Sequence, residues 1–93
     1  GRPSFTTSAA DTSITARVKT ALIEAPDLHA NTIKVVTESG TVYLMGLVSQ
    51  REATRAAQVA SRVSGAQRVV TVFELISEEE ARAASQAAQQ QQQ

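Results

Sequence analysis

Few side chains in this sequence are of the types that do chemistry, and their spacing predicts no catalytic or metal site. His29 is the single histidine and cysteine is absent from the sequence, so a triad or a zinc site has too few partners. We interpret His29 as a solvated loop residue. Glu78, Glu79 and Glu80 are consecutive, so on a helix they point in different directions and do not converge on a cation. We therefore expect no enzyme activity, no bound metal and no cofactor.

Binding of nucleotides or nucleic acids has no better support. The glycines in "ESGT" and "SGAQ" are isolated, and the chain contains no P-loop or dinucleotide fingerprint. Nine basic and nine acidic side chains cancel, so no overall field attracts a polyanion. The arginines of the second predicted helix, Arg51, Arg55 and Arg62, fit an ordinary solvated face. No nucleic-acid partner is expected.

The first predicted helix carries the most informative surface. At about 100° per residue, the side opposite Ile14 and Val18 is small and weakly polar, with two cations at its borders. Its members are Thr12, Ser13, Ala16, Arg17, Lys19, Thr20 and Ile23. On an anionic phospholipid surface the cations would meet head-group phosphates and the aliphatic groups would rest at the boundary. The pattern alone leaves two interpretations, lipid contact and an ordinary solvated helix face.

Local signals place this helix before a β-hairpin. Asp11 is the expected N-cap of a helix over 12–24, which ends before Pro26 because a residue preceding proline avoids helical geometry. The stretch "IKVVTE" (33–38) and the stretch "TVYLMGLV" (41–48) are rich in strand-forming residues. Gly40 lies between them, where a tight turn requires a positive φ.

A second helix and a last strand complete the predicted fold. Ser49 and Glu52 have the spacing of a capping box, and Gly65 is the expected C-cap of that helix. The alternating stretch "QRVVTVFELI" follows as a strand that a right-handed crossover places parallel to the second strand. The order αββαβ predicts an α+β fold with two helices packed on one face of a three-stranded mixed sheet. Either the first or the second strand could be central.

Composition divides the chain into three parts. Residues 1–10 are small and polar and predict a flexible linker, residues 11–77 form the one folded domain, and residues 78–93 are an Ala- and Gln-rich tail. Alanine is the only apolar residue type in that tail, so we expect a frayed helix or disorder that buries little surface. The abrupt start of the sequence suggests a fragment of a longer protein.

Three stretches of the chain resemble a known family. "DTSITARVKTAL", "IKVVTESGTVYLMGLVSQREA" and "ASRVSGAQRVVTVFELI" are similar to the BON domain of bacterial envelope proteins. The most telling features are the glycine turn at Gly40, Gly46 inside the apolar strand, and Gly65 before the last strand. The resemblance covers Asp11 to about Ser77.

The resemblance implies a non-enzymatic periplasmic module that supports outer-membrane integrity and binds anionic phospholipid, such as phosphatidylglycerol, through its first helix. It also implies an upstream BON domain, a lipid anchor in the inner leaflet of the outer membrane, and contacts with other envelope proteins. One member of that family carries a tryptophan where this chain has Ser13, and serine lacks the interfacial anchoring of an indole. The alternative is a protein-binding or self-associating domain that uses the exposed sheet face carrying Val70, Val72 and Ile76.

Overall fold

The computed structural model describes residues 8–91 and contains three α-helices and three strands. The helices are α1 (Ala9–Glu24), α2 (Gln50–Ser61) and α3 (Glu78–Gln91), and the strands are β1 (Ile33–Glu38), β2 (Thr41–Val48) and β3 (Arg68–Leu75). A short 3-10 helix, Ala30–Thr32, leads into β1. The predicted linker falls outside the described residues over 1–7, whereas residues 9 and 10 begin α1 and Ser8 is its N-cap residue. Residues 92 and 93 of the predicted tail also lie outside them.

The sheet has the order β1-β2-β3, with β2 in the centre. The β1–β2 pair is antiparallel and the β2–β3 pair is parallel. The predicted α+β class and mixed sheet are confirmed, and the strand order that the sequence left open is settled in favour of a central β2. The long α2 crossover is what allows β3 to run parallel to β2.

The core lies between one face of this sheet and the helices α1 and α2. It contains apolar residues from one side of α1, from β1 and β2, and two alanines of α2, among them Val18, Leu22, Val42, Leu44, Val48, Ala56 and Ala60. Ala56 and Ala60 have 0% of their surface exposed, because an alanine stripe lets α2 lie close to the strands. β3 is the least buried strand, and its Val69 and Phe73 only border the core.

A side chain of α1 holds the hairpin turn in place. That side chain is Asp11, and the prediction that Asp11 is the N-cap of α1 is wrong. Ser39 and Gly40 both have positive φ, 51° and 81°, which confirms the glycine turn. The N-cap of α1 is Ser8, whose side chain accepts from the Asp11 amide at 3.1 Å. Asp11 is buried inside the first turn and accepts from the amides of Ser39 (2.9 Å) and Gly40 (3.0 Å). Its carboxylate therefore locks the hairpin onto α1.

The glycines that follow serve close packing. Gly46 has a φ of 132°, and a Cβ there would lie 2.0 Å from the Thr32 carbonyl oxygen, so no side chain fits. Gly65 is not the C-cap of α2, because the helix ends at Ser61 with Arg62 as its cap residue. It lies in the turn beyond, with a φ of 94°, against the side chain of Ile14.

α3 is a docked helix, contrary to the expectation that residues 78–93 bury little. Its start is a capping box: the Ser77 amide donates to Glu80 Oε1 (3.1 Å) and the Glu80 amide donates to Ser77 Oγ (3.0 Å). Ala81 is 1% exposed. Asn31 Nδ2 donates to the Ser85 carbonyl at 2.8 Å, and Ser85 Oγ donates to Asn31 Oδ1 at 2.9 Å. A two-way hydrogen bond thus holds α3 against the 3-10 helix.

Candidate functional site

The outward side of α1 is uncovered by the described part of the chain. The predicted site residues Thr12, Ala16, Arg17, Lys19, Thr20 and Ile23 are all exposed, and Ser13 is half-buried. Ile23 is 71% exposed, the largest exposed fraction among the large apolar residues that the structure describes. The buried residues of α1, Ile14, Val18 and Leu22, lie on the other side. The structure thus brings six of the seven residues to one exposed surface, which we call the α1 strip.

Two threonines of the α1 strip are less polar than their residue type suggests. Thr12 Oγ1 donates to the Ser8 carbonyl at 3.2 Å, and Thr20 Oγ1 donates to the Ala16 carbonyl at 3.0 Å. Because each hydroxyl proton is already donated to the backbone, these side chains need fewer bonds from water. The strip can therefore approach an apolar boundary at a smaller desolvation cost than two free hydroxyls would impose.

The two cations of the strip have different surroundings. Arg17 donates through one guanidinium nitrogen to the Ser64 carbonyl at 2.9 Å, which positions it beside the loop after α2. Lys19 borders a shallow depression of about 350 Å³ between α1 and the 3-10 helix, where Leu22, Ile23 and Ile33 supply apolar walls. An ammonium above an apolar depression combines attraction for an anion with attraction for aliphatic chains.

A second exposed surface is the face of the sheet turned away from α1 and α2. It carries the residues that alternate with the core positions of each strand: Lys34, Val36, Glu38, Thr41, Tyr43, Met45, Leu47, Arg68, Val70, Val72 and Glu74. We call this surface the open face. Of the three residues that the sequence predicted there, Val70 and Val72 belong to it, whereas Ile76 follows the end of β3 and donates its amide to the Val48 carbonyl.

His29 does not have the solvated setting predicted for it. Its Nδ1 lies 2.8 Å from Oε2 of Glu52, a carboxylate with 0% of its side chain exposed. The same carboxylate accepts from the His29 amide at 3.2 Å and from the Ser49 amide at 3.1 Å. Glu52 therefore completes the predicted capping box and also ties the loop after α1 to α2. No local pattern identifies this contact, because its partners are 23 residues apart.

Arg51 is not a free surface arginine either. Its Nε donates to Glu78 Oε1 at 2.8 Å and its guanidinium donates to the Asp27 carbonyl at 2.8 Å. The bond from Arg51, followed by one from Ser49 Oγ, lowers the pKa of the Glu78 carboxyl. Asp27 also pairs with Arg55 at 3.2 Å. These groups connect α2, α3 and the loop after α1. Their charges are therefore used in contacts within the fold.

Within residues 8–91, no three His, Asp or Glu side chains are grouped so that they could hold a metal ion. Over the same residues, no helix has both the length and the apolar content needed to cross a bilayer.

The fold and the exposed α1 strip define a small α+β module that offers a helix face as its candidate site. The family model for the BON domain matches residues 10–77, and the chain belongs to that family. The resemblance found in the sequence is thereby confirmed.

Two relatives show where such a module occurs. The chain is 36% identical over 73 residues to the outer membrane lipoprotein DolP of Haemophilus influenzae. The aligned region covers 78% of this chain and 38% of DolP. It is also 36% identical over 66 residues to a 21 kDa hemolysin of Actinobacillus pleuropneumoniae, covering 71% of this chain and 34% of that protein. The chain therefore spans little more than a third of either relative.

Proposed function

We propose that this chain is a non-enzymatic module of the bacterial envelope that binds anionic phospholipid, such as phosphatidylglycerol, through the α1 strip. The observation that carries the proposal is the exposed Ile23 beside Lys19, on a helix side that no described residue covers. Similarity to an outer membrane lipoprotein supports a place at that membrane.

The expected affinity of one α1 strip is low. A Lys or Arg near an anionic surface contributes about 1 kcal/mol, and Arg17 and Lys19 are partly offset by the exposed Glu24 at the end of the same helix. Ile23 adds at most about 2 kcal/mol if it is fully buried in the boundary. Stable membrane attachment takes two signals. We therefore place the module in the periplasm, in a parent protein with an upstream BON domain and a lipid anchor in the inner leaflet of the outer membrane.

The test is amide NMR of the chain during titration with phosphatidylglycerol micelles, with phosphatidylcholine micelles as the neutral comparison. We expect shifts confined to residues 12–24 and a weaker response to phosphatidylcholine. The variant Lys19→Glu should reduce the response severalfold, because it reverses a charge on the strip. Arg82→Glu makes the same change of net charge on the exposed side of α3 and should leave the response unchanged.

Ile23→Ser separates the apolar contribution from the electrostatic one. It should weaken binding to phosphatidylglycerol without removing the preference for that lipid over phosphatidylcholine. Absence of shifts in residues 12–24, or equal losses in the Lys19 and Arg82 variants, would contradict the proposal.

A further inference from the structure

The open face has an apolar centre. Tyr43 of β2 lies in register between Val36 of β1 and Val70 of β3, and Met45 lies beside Val72 in the next outward-facing row. Val72 is 58% exposed, and the side chains on the β1 side of this centre border a depression of about 630 Å³. Within residues 8–91, both α1 and α2 pack on the opposite face of the sheet.

Four charged residues surround this centre in an alternating arrangement. At the end of the sheet nearest the hairpin turn, Glu38 of β1 and Arg68 of β3 flank Thr41. Towards the other end, Lys34 on β1 is in register with Met45, and Glu74 on β3 is in register with Leu47. Each edge strand therefore carries one cation and one anion, in opposite order along the direction of β2.

We propose that the open face is a self-association surface whose partner is a second copy of this chain, packed face to face about a two-fold axis parallel to β2. This rotation exchanges the β1 and β3 sides of the face while keeping positions along the strands. Glu38 then lies over Arg68 of the second copy, and Lys34 approaches Glu74 of the second copy. Tyr43 meets its own equivalent, and Val36 meets Val70 of the second copy.

The pattern favours a second copy over other partners. A two-fold contact requires a surface that complements itself, and the alternating charges meet that requirement with two ion pairs on each side of the apolar centre. An anionic membrane would be repelled by Glu38 and Glu74 as much as it is attracted by Lys34 and Arg68. Two sheets also pack readily with their strands within about 30° of each other, which a two-fold axis along β2 permits.

This inference is independent of lipid binding. The α1 strip lies on the other side of the sheet, so the association leaves the strip of each copy uncovered. A variant that loses self-association is therefore expected to keep lipid binding, and a variant that loses lipid binding is expected to keep self-association. The two tests probe different surfaces of the chain.

Sedimentation equilibrium of the full 93-residue chain, from about 10 µM to about 1 mM, tests the proposal. We expect the mean mass to rise with concentration from 9.9 kDa towards twice that value. Glu38→Arg and Arg68→Glu should each weaken association by about tenfold or more, because each places like charges together. The double variant should restore it, since the reversed charges again face each other across the axis. Far-UV circular dichroism verifies that each variant remains folded.

Several outcomes would overturn the proposal. A mass of 9.9 kDa at every concentration excludes self-association. Association that is as strong in the Glu38→Arg and Arg68→Glu single variants as in the parent chain would mean that the contact uses another surface. Rescue of Glu38→Arg by Lys34→Glu, but not by Arg68→Glu, places the two-fold axis across the strands and rejects the arrangement proposed here.

Discussion

At the scale of single residues, Asp11 shows how one carboxylate connects two elements. Its two oxygens accept from consecutive turn amides, one of them on Ser39, a non-glycine residue held at positive φ. These backbone bonds lower the pKa of Asp11. Because its folded pKa lies below the unfolded value of about 3.9, ionised Asp11 stabilises the fold above that pH, and the contribution is lost as pH falls through the folded pKa.

The prediction for Asp11→Asn follows from this linkage. The amide can accept one turn bond but presents N–H groups to the other, so the variant should melt several degrees below the parent at pH 7. The difference between the two proteins should close as pH falls below about 3.9, where the parent loses the same contribution. Thermal melts followed by circular dichroism between neutral and acidic pH provide the measurement.

Glu79→Gln is the matched control, because Glu79 is an exposed acidic residue in the first turn of α3. Its removal should change the melting temperature little at any pH. A difference between Asp11→Asn and the parent that stays constant down to strongly acidic pH would show that the charge of Asp11 has no role.

At the scale of elements, the described residues contain two capping boxes in different environments. Glu52 is buried and satisfies the Ser49 and His29 amides, whereas the Ser77–Glu80 box starts α3 at the surface. The same local motif therefore contributes differently to the free energy of unfolding at the two sites. Loss of Glu52 leaves two donors without partners inside the fold, and loss of Glu80 leaves one donor that water can reach.

We therefore expect Glu52→Ala to lower the free energy of unfolding by about 2–4 kcal/mol and Glu80→Ala by about 1 kcal/mol. Urea denaturation followed by far-UV circular dichroism measures both. Equal losses in the two variants would mean that burial of Glu52 adds nothing to its capping role.

The same comparison shows which parts of the structure could be predicted from the sequence. Both capping boxes and the Gly40 turn depend on residues within a few positions of each other, so their patterns are visible locally. The exposed strip of α1 also follows, because helical periodicity separates it from Ile14 and Val18. The Asp11–Ser39 and Asn31–Ser85 bonds join residues 28 and 54 positions apart. Nothing in either local stretch specifies such a partner. For this reason the N-cap of α1 was predicted wrongly, and the docking of α3 was not predicted.

At the scale of the whole molecule, α3 is an addition to a domain that is already closed. The matched family region ends at residue 77, and the core residues come from α1, the sheet, α2 and the loop after α1. α3 adds the buried Ala81 and the two hydrogen bonds between Asn31 and Ser85. Its Glu78 carboxylate also accepts a hydrogen bond from Arg51. The Arg51–Glu78 pair is about half exposed on both sides, and such pairs contribute little.

A chain that ends at Ser77 should therefore fold, with a free energy of unfolding lower by about 1–3 kcal/mol. Urea denaturation measures the loss, and the full-length variant Ala81→Asp should reproduce most of it, since it places a charge where α3 is buried.

The α1 strip does not involve α3, so the truncated chain should give the same amide shifts with phosphatidylglycerol micelles as the full chain. A truncated chain that fails to fold would make α3 an integral part of the domain, and an unchanged free energy would mean that its docking is not stabilising. Loss of the lipid response in a folded truncated chain would instead place part of the lipid site on α3.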